Sequence, residues 1–143
     1  MTPENHAKLV AMLKREEGLR LKPYFDTVGA LTVGWGHRTN SRAPITLAEA
    51  ERLLDADIAK AESGVRQALP WFDDLDEARQ AVLTAMCFQL GLRGLLGFKR
   101  TLRHVELGQY TLAANEMLRS RWAEQTPARA ERMSRQMLTG KWA

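Results

Sequence analysis

The sequence predicts an α+β fold: a small N-terminal lobe with a helix and a β-hairpin (1–45), a long connecting helix (46–68) and an all-helical C-terminal lobe (69–143). Three observations carry that expectation. Strand-forming residues concentrate between Leu21 and Trp35, and helical periodicity takes over after Pro44. Thr46-Leu47-Ala48-Glu49 is a capping box that opens the longest periodic stretch. A cleft between two such lobes is a common place for a ligand.

The elements follow in chain order. Thr2-Pro3-Glu4 is a helix start: a hydroxyl cap, a proline where its missing N–H costs nothing, and an acid at the positive dipole end. Leu9, Val10 and Leu13 form its apolar stripe and Gly18 ends it. Tyr24, Phe25, Val28, Leu31, Thr32, Val33 and Trp35 are strand formers around a turn at Gly29, and the run from Gly34 to Pro44 has loop composition. The connecting helix runs through Leu53, Leu54, Ile58 and Val65 and is broken at Pro70-Trp71-Phe72. Asp74 to Glu77 has cap-plus-acid spacing ahead of Val82, Leu83, Met86 and Leu90, with a stop at Gly91. Shorter helices are expected around Leu95–Leu107, stopped by Gly108, and over Tyr110–Arg119. Thr126-Pro127 starts a last helix that runs to Leu138 and stops near Gly140.

At 143 residues and 45% hydrophobic content the chain is long enough for one domain with a real core. Its 27% charged residues are ordinary for a folded protein. Cys87, the single cysteine, excludes an internal disulfide and a cysteine-based zinc site, and its apolar neighbours mark it as a small buried hydrophobe. Glu4, His6, Lys8 and Lys14 interrupt any signal-like apolar run, and no stretch reaches the roughly 18 apolar residues of a membrane span. The expectation is synthesis in the cytoplasm without an export signal of its own. A net charge of +4 and a pI near 9.6 favour anionic partners, whether nucleic acid, membrane surface or cell envelope.

Two carboxylates stand out. Glu17 lies four residues after Leu13 and seven after Val10, so periodicity puts it on the apolar face of the first helix, whereas Glu16 points to solvent. Desolvation disfavours the charged form of a carboxyl, which suits such a group to proton donation near neutral pH. The plain alternative is a surface acid on a frayed last turn. Asp26 precedes the turn Thr27-Val28-Gly29, where an aspartate commonly bonds its own backbone. As a pair, at a helix end and in the hairpin that follows, the two can face each other across a short gap. Glycoside hydrolysis needs such a pair, one protonated and one ionised. Thr32, on the returning strand, is near enough to aim a hydroxyl at the same space, although threonine is also an ordinary strand former.

Glu17-Gly18-Leu19-Arg20-Leu21, Tyr24, Asp26-Thr27, Gly29, Thr32 and Gly34-Trp35-Gly36-His37 together resemble the signature of the phage-type lysozymes, the muramidases of glycoside hydrolase family 24. Phe88-Gln89-Leu90-Gly91, Ser120-Arg121-Trp122, Gln125-Thr126-Pro127 and Arg129-Ala130 extend the resemblance from about Met12 to Trp142. It implies a lysozyme-like fold and an endolysin that cleaves the β-1,4 bond between N-acetylmuramic acid and N-acetylglucosamine. Glu17 would protonate the glycosidic oxygen, and Asp26, helped by Thr32, would activate or orient water with inversion. The two carboxyls would then stand about 6.5–9.5 Å apart. The resemblance also implies that Arg129 pairs with the catalytic glutamate, and that His37 and Asp57 form a structural pair tying the hairpin lobe to the long helix. Phe88, Gln89, Thr101, Trp122 and Gln125 would meet sugar, Trp122 being equally ordinary as core. Two departures are visible: the loop 38–44 is short, and Arg38 stands where an apolar residue is expected.

The resemblance implies peptidoglycan strands as partner, no cofactor, a monomer, and release into the periplasm by a membrane-permeabilising partner such as a holin. The late cluster Arg119, Arg121, Arg129, Arg132, Arg135 and Lys141 is read as a solvated positive face that could also favour the anionic envelope. A C-terminal helix that disturbs the outer membrane is a weaker reading of the same residues. One rival is a lytic transglycosylase acting on the same glycan, which would leave anhydro ends; Asp26 and Thr32 favour hydrolysis. The other is a basic helical nucleic-acid binder, disfavoured because acids are interleaved with the arginines and no zinc-finger spacing is present. No P-loop or H-E-x-x-H occurs, and His6, His37 and His104 form no metal motif.

Overall fold

The computed structural model describes residues 1–143. Its architecture is α+β: seven α-helices and one three-stranded antiparallel sheet. The chain divides into two units, residues 2–60 and residues 61–143, the latter with Met1. The long helix contributes residues to both.

In the first unit α1 (Pro3–Glu17) begins as its sequence requires: Thr2 Oγ1 accepts from the Asn5 N–H at 3.2 Å and Pro3 occupies the first turn. It ends at Gly18, whose φ of 67° lets the chain turn sharply into the sheet. Strand β1 (Arg20–Phe25) pairs antiparallel with β2 (Leu31–Gly34), with Tyr24 opposite Thr32 and Phe25 opposite Leu31. The register slips between Arg20 and Tyr24. Pro23 lies in that stretch and has no N–H to give the ladder, which is where a proline is tolerated in a strand.

A third strand, β3 (His37–Arg38), corrects the expectation of continuous loop from Gly34 to Pro44. It pairs with β2 through Thr32–Arg38 and Val33–His37. The sheet order β1-β2-β3 puts β2 in the middle, so Thr32 and Val33 are buried while β1 is largely exposed. Helix α2 (Leu47–Ala68) opens with the capping box: the Glu49 N–H donates to Thr46 Oγ1 at 3.1 Å and the Thr46 N–H to Glu49 Oε1 at 3.4 Å. The apolar core here comes from Leu9, Met12, Leu13, Val33, Trp35, Ala50, Leu54 and Ile58.

The second unit is helical. After a 3-10 turn at Phe72–Asp74 comes α3 (Glu77–Leu96). Its cap is Asp76, which accepts from the Arg79 N–H at 3.1 Å, and not Asp74 as the spacing suggested. Gly91, expected to stop this helix, breaks it instead: φ 77° and ψ 162° interrupt the helical path, which then resumes to Leu96. Next come α4 (Lys99–Glu106), α5 (Tyr110–Leu118), α6 (Arg121–Gln125) and α7 (Pro127–Thr139). Helix α6 was not foreseen. Ser120 caps it by accepting from the Ala123 N–H at 3.1 Å, while Thr126 gives its hydroxyl proton to the Trp122 carbonyl and does not cap α7 with its side chain.

Helix α7 is fixed by two buried polar bonds, Gln136 Nε2 to the Ala78 carbonyl at 2.7 Å and Ser134 Oγ to the Ala114 carbonyl at 3.1 Å. Both groups thereby avoid the cost of an unpaired buried donor. Cys87 is buried on α3, and that burial pushes its thiol above the ordinary range for cysteine.

Candidate active site

Glu17 is the last residue of α1, half-buried and one turn beyond the buried Leu13. Its neighbour corrects the sequence reading. Glu16, expected to be solvated, has a side chain only 5% exposed, with Oε1 3.8 Å from Arg15 Nε. Glu17 is closely approached by the turn that joins β2 to β3. A Cβ built on Gly36 would stand 2.8 Å from Glu17 Oε2, and Gly36 also has φ 74°. The positive φ favours glycine and a Cβ there would displace the carboxyl, so the Gly34-Trp35-Gly36 turn packs its backbone beside Glu17.

Asp26 is half-buried in the β1–β2 connection. Its Oδ1 accepts from the Val28 N–H at 3.0 Å and the Ala30 N–H at 2.8 Å, so the turn-forming reading of this residue holds. Those two donors also fix the plane of the carboxyl. Thr32, 3% exposed on β2, donates its hydroxyl proton to the Ala30 carbonyl at 2.9 Å. The proton is committed to backbone, so what Oγ1 can offer to a further group is a lone pair. All three residues lie in the first unit and follow one another along helix end, turn and central strand.

His37 Nδ1 lies 2.8 Å from Asp57 Oδ2 on α2, with both side chains about a quarter exposed. Lys14 Nζ donates to Glu51 Oε1 at 2.7 Å and stands 4.5 Å from the centroid of the Trp35 ring. Sequence reasoning gave Lys14 and Gly36 no place in the site. The glycine was visible in the Gly-Trp-Gly-His run; the lysine entered only as a charge that interrupts a signal-like apolar run.

In the second unit, a cavity of about 590 Å³ is lined by Thr101, Trp122 and Gln125, together with Phe98, Glu116 and the cations Lys99, Arg100, Arg119 and Arg121. Trp122 is 4% exposed; its indole N–H donates to Gln89 Oε1 at 2.8 Å and its ring meets Phe98 edge-on at 5.8 Å. It is therefore core and cavity wall at once. Phe88 is half-buried and does not line this cavity. Arg129 is buried near the start of α7. No group of three or more histidine, cysteine, aspartate or glutamate side chains has the arrangement of a metal site.

The sequence profile of the family described as Phage lysozyme matches residues 14–136. Probable T4-type lysozyme 1 of Dictyostelium discoideum is 29% identical over 157 residues, covering 90% of this chain and 92% of that protein. The endolysin of Salmonella phage P22 is 30% identical over 116 residues, covering 76% and 77%. The pre-baseplate central spike protein Gp5 of Enterobacteria phage T4 is 30% identical over 159 residues; the match takes in 92% of this chain but spans only 28% of the spike protein.

Proposed function

The chain belongs to the phage lysozyme family and is an enzyme of the lysozyme type, and from that premise we propose that it hydrolyses the β-1,4 bond between N-acetylmuramic acid and N-acetylglucosamine with inversion. Glu17 is the general acid that protonates the leaving oxygen. Asp26 is the base: with Oδ1 held by two backbone donors, it presents Oδ2 to the attacking water. Thr32 orients the same water by accepting one of its protons, the only hydrogen-bonding role left to a hydroxyl whose own proton is spent on Ala30. The water's oxygen bonds to the anomeric carbon as the glycosidic C–O bond breaks. One water proton goes to Asp26 and the Glu17 proton leaves with the departing sugar.

The observation that carries this reading is the approach of the Gly36 backbone to the Glu17 carboxyl, in the unit that also holds Asp26 and Thr32. Backbone packed against one side of the carboxyl narrows the orientations open to it, which suits a positioned acid. Within the second unit, the cavity at Thr101, Trp122 and Gln125 is itself proposed to hold sugar, with Gln89 setting the Trp122 indole.

Turbidity clearing of permeabilised Gram-negative cells by wild type and by folded Glu17→Gln tests the assignment. Clearing by wild type alone supports it, and equal clearing moves the chemistry elsewhere. Reducing ends in the digest support hydrolysis; anhydromuramyl ends identify a transglycosylase. The proposed setting is lysis of a phage host, with release through a membrane opened by a partner. Production of the chain alone should then leave cells intact until the membrane is breached. The match to the spike protein favours a second setting, a wall-cleaving part of a phage particle, which detection of the chain in purified particles would support.

A further inference from the structure

Lys14 stands three residues before Glu17 in the last turn of α1, and its ammonium makes two contacts at once. It donates to Glu51 Oε1 on α2 at 2.7 Å, and it lies over the Trp35 ring, 4.5 Å from the centroid. Trp35 is only 7% exposed and is flanked by Gly34 and Gly36, both at positive φ. The turn is closed by the Val33–His37 pairing of β2 and β3, and the buried indole adds a second hold on it. The same turn carries the Gly36 backbone that packs beside the Glu17 carboxyl.

As a stabilising ion pair Lys14–Glu51 is unpromising. The two side chains are 33% and 42% exposed, and such pairs contribute little to folding. Its geometry suits another purpose. An ammonium with a carboxylate on one side and an aromatic face on the other bridges helix end, second helix and turn. We infer that Lys14 is a positioning residue for Glu17, keeping the Gly34-Trp35-Gly36 turn seated against the acid. This rests on the reading of Glu17 as the general acid.

Lys14→Met keeps the aliphatic stem and removes both charged contacts. On a soluble glycan oligomer, kcat should fall about tenfold while KM stays within about twofold, since the change misplaces the acid and spares substrate binding. Lys14→Arg, which can still meet a carboxylate and an aromatic face, should recover most of kcat. Glu51→Gln should give a smaller loss in kcat, and Lys14→Met/Glu51→Gln should be no worse than Lys14→Met alone. Should Lys14→Met not fold, Glu51→Gln and Trp35→Phe carry the same test.

A folded Lys14→Met enzyme with wild-type kcat would overturn the inference, as would a loss confined to KM. Glu17→Gln assayed alongside separates two kinds of failure. Retained cleavage by folded Glu17→Gln overturns the acid assignment and the positioning role with it. An inactive Glu17→Gln beside an unimpaired Lys14→Met overturns the positioning role alone.

Discussion

At Asp26 the turn and the proposed chemistry draw on the same carboxylate, and one substitution separates them. Asn keeps an oxygen that can accept from the Val28 and Ala30 N–H groups but cannot take a proton from water. Asp26→Asn should therefore leave stability within about 0.5 kcal/mol of wild type, measured by urea unfolding, while the rate of glycan cleavage drops about 10²–10⁴-fold. A variant that is equally stable and equally fast would leave Asp26 as a turn residue only. The His37–Asp57 pair is expected to behave in the opposite way. Asp57→Asn should cost about 1 kcal/mol at neutral pH with specific activity roughly intact, and a stably folded but inactive variant would refute the structural role. Glu17 and Asp26 were legible as candidates because a carboxylate pair at a helix end and in the following hairpin suits glycoside hydrolysis, and with Thr32 because their spacing resembles the phage-type lysozyme motif. Gly36 and Lys14 were not singled out, because what matters about them is an approach in space: a backbone against a carboxyl, an ammonium over a ring.

Helix ends were the most legible elements, since a cap is a local event. Thr2-Pro3, Thr46 with Glu49, Gly18 and Gly140 all act where the sequence put them. The errors came where several local signals compete or where an element is too short to show a period. Asp74 and Asp76 both stand just ahead of α3, and in the structure it is Asp76 that accepts from the Arg79 N–H. Asp76→Ala should cost about 1 kcal/mol in thermal or urea unfolding, and Asp74→Ala less than about 0.5. Equal losses would return the cap to ambiguity. Helix α6, with five residues, spans barely more than one turn, and β3, with two, exists only through its register with β2. Arg79 then links elements that sequence cannot relate. It bonds the Met137 and Leu138 carbonyls at the end of α7, stacks 3.5 Å from the Tyr110 ring centroid and pairs with its own cap Asp76.

For the whole molecule the net charge of +4 is the property that acts at a distance. Part of the late basic cluster is compensated locally: Arg135 has Glu131 at 2.7 Å and Arg119 has Glu116 at 3.8 Å. The proposed role of the remaining charge is a diffuse attraction to anionic wall, sensitive to screening. Raising ionic strength from about 0.02 to about 0.3 M should slow clearing of whole walls several-fold, and should change cleavage of an uncharged oligosaccharide by less than about twofold. A flat profile on walls would exclude such steering.

The buried Cys87 has a use of a different kind. Cys87 is only 6% exposed, so a thiol reagent reacts with it mainly when α3 opens, and its labelling rate in the native protein tracks the open fraction without mutation. The native thiol should react orders of magnitude more slowly than the same thiol in urea. Asp76→Ala, which weakens the start of the same helix, should speed labelling by about the factor its lost stability predicts if that helix opens only with the whole fold. A smaller acceleration would mean that α3 breathes locally around Cys87, giving the molecule a built-in timer for its own internal motion.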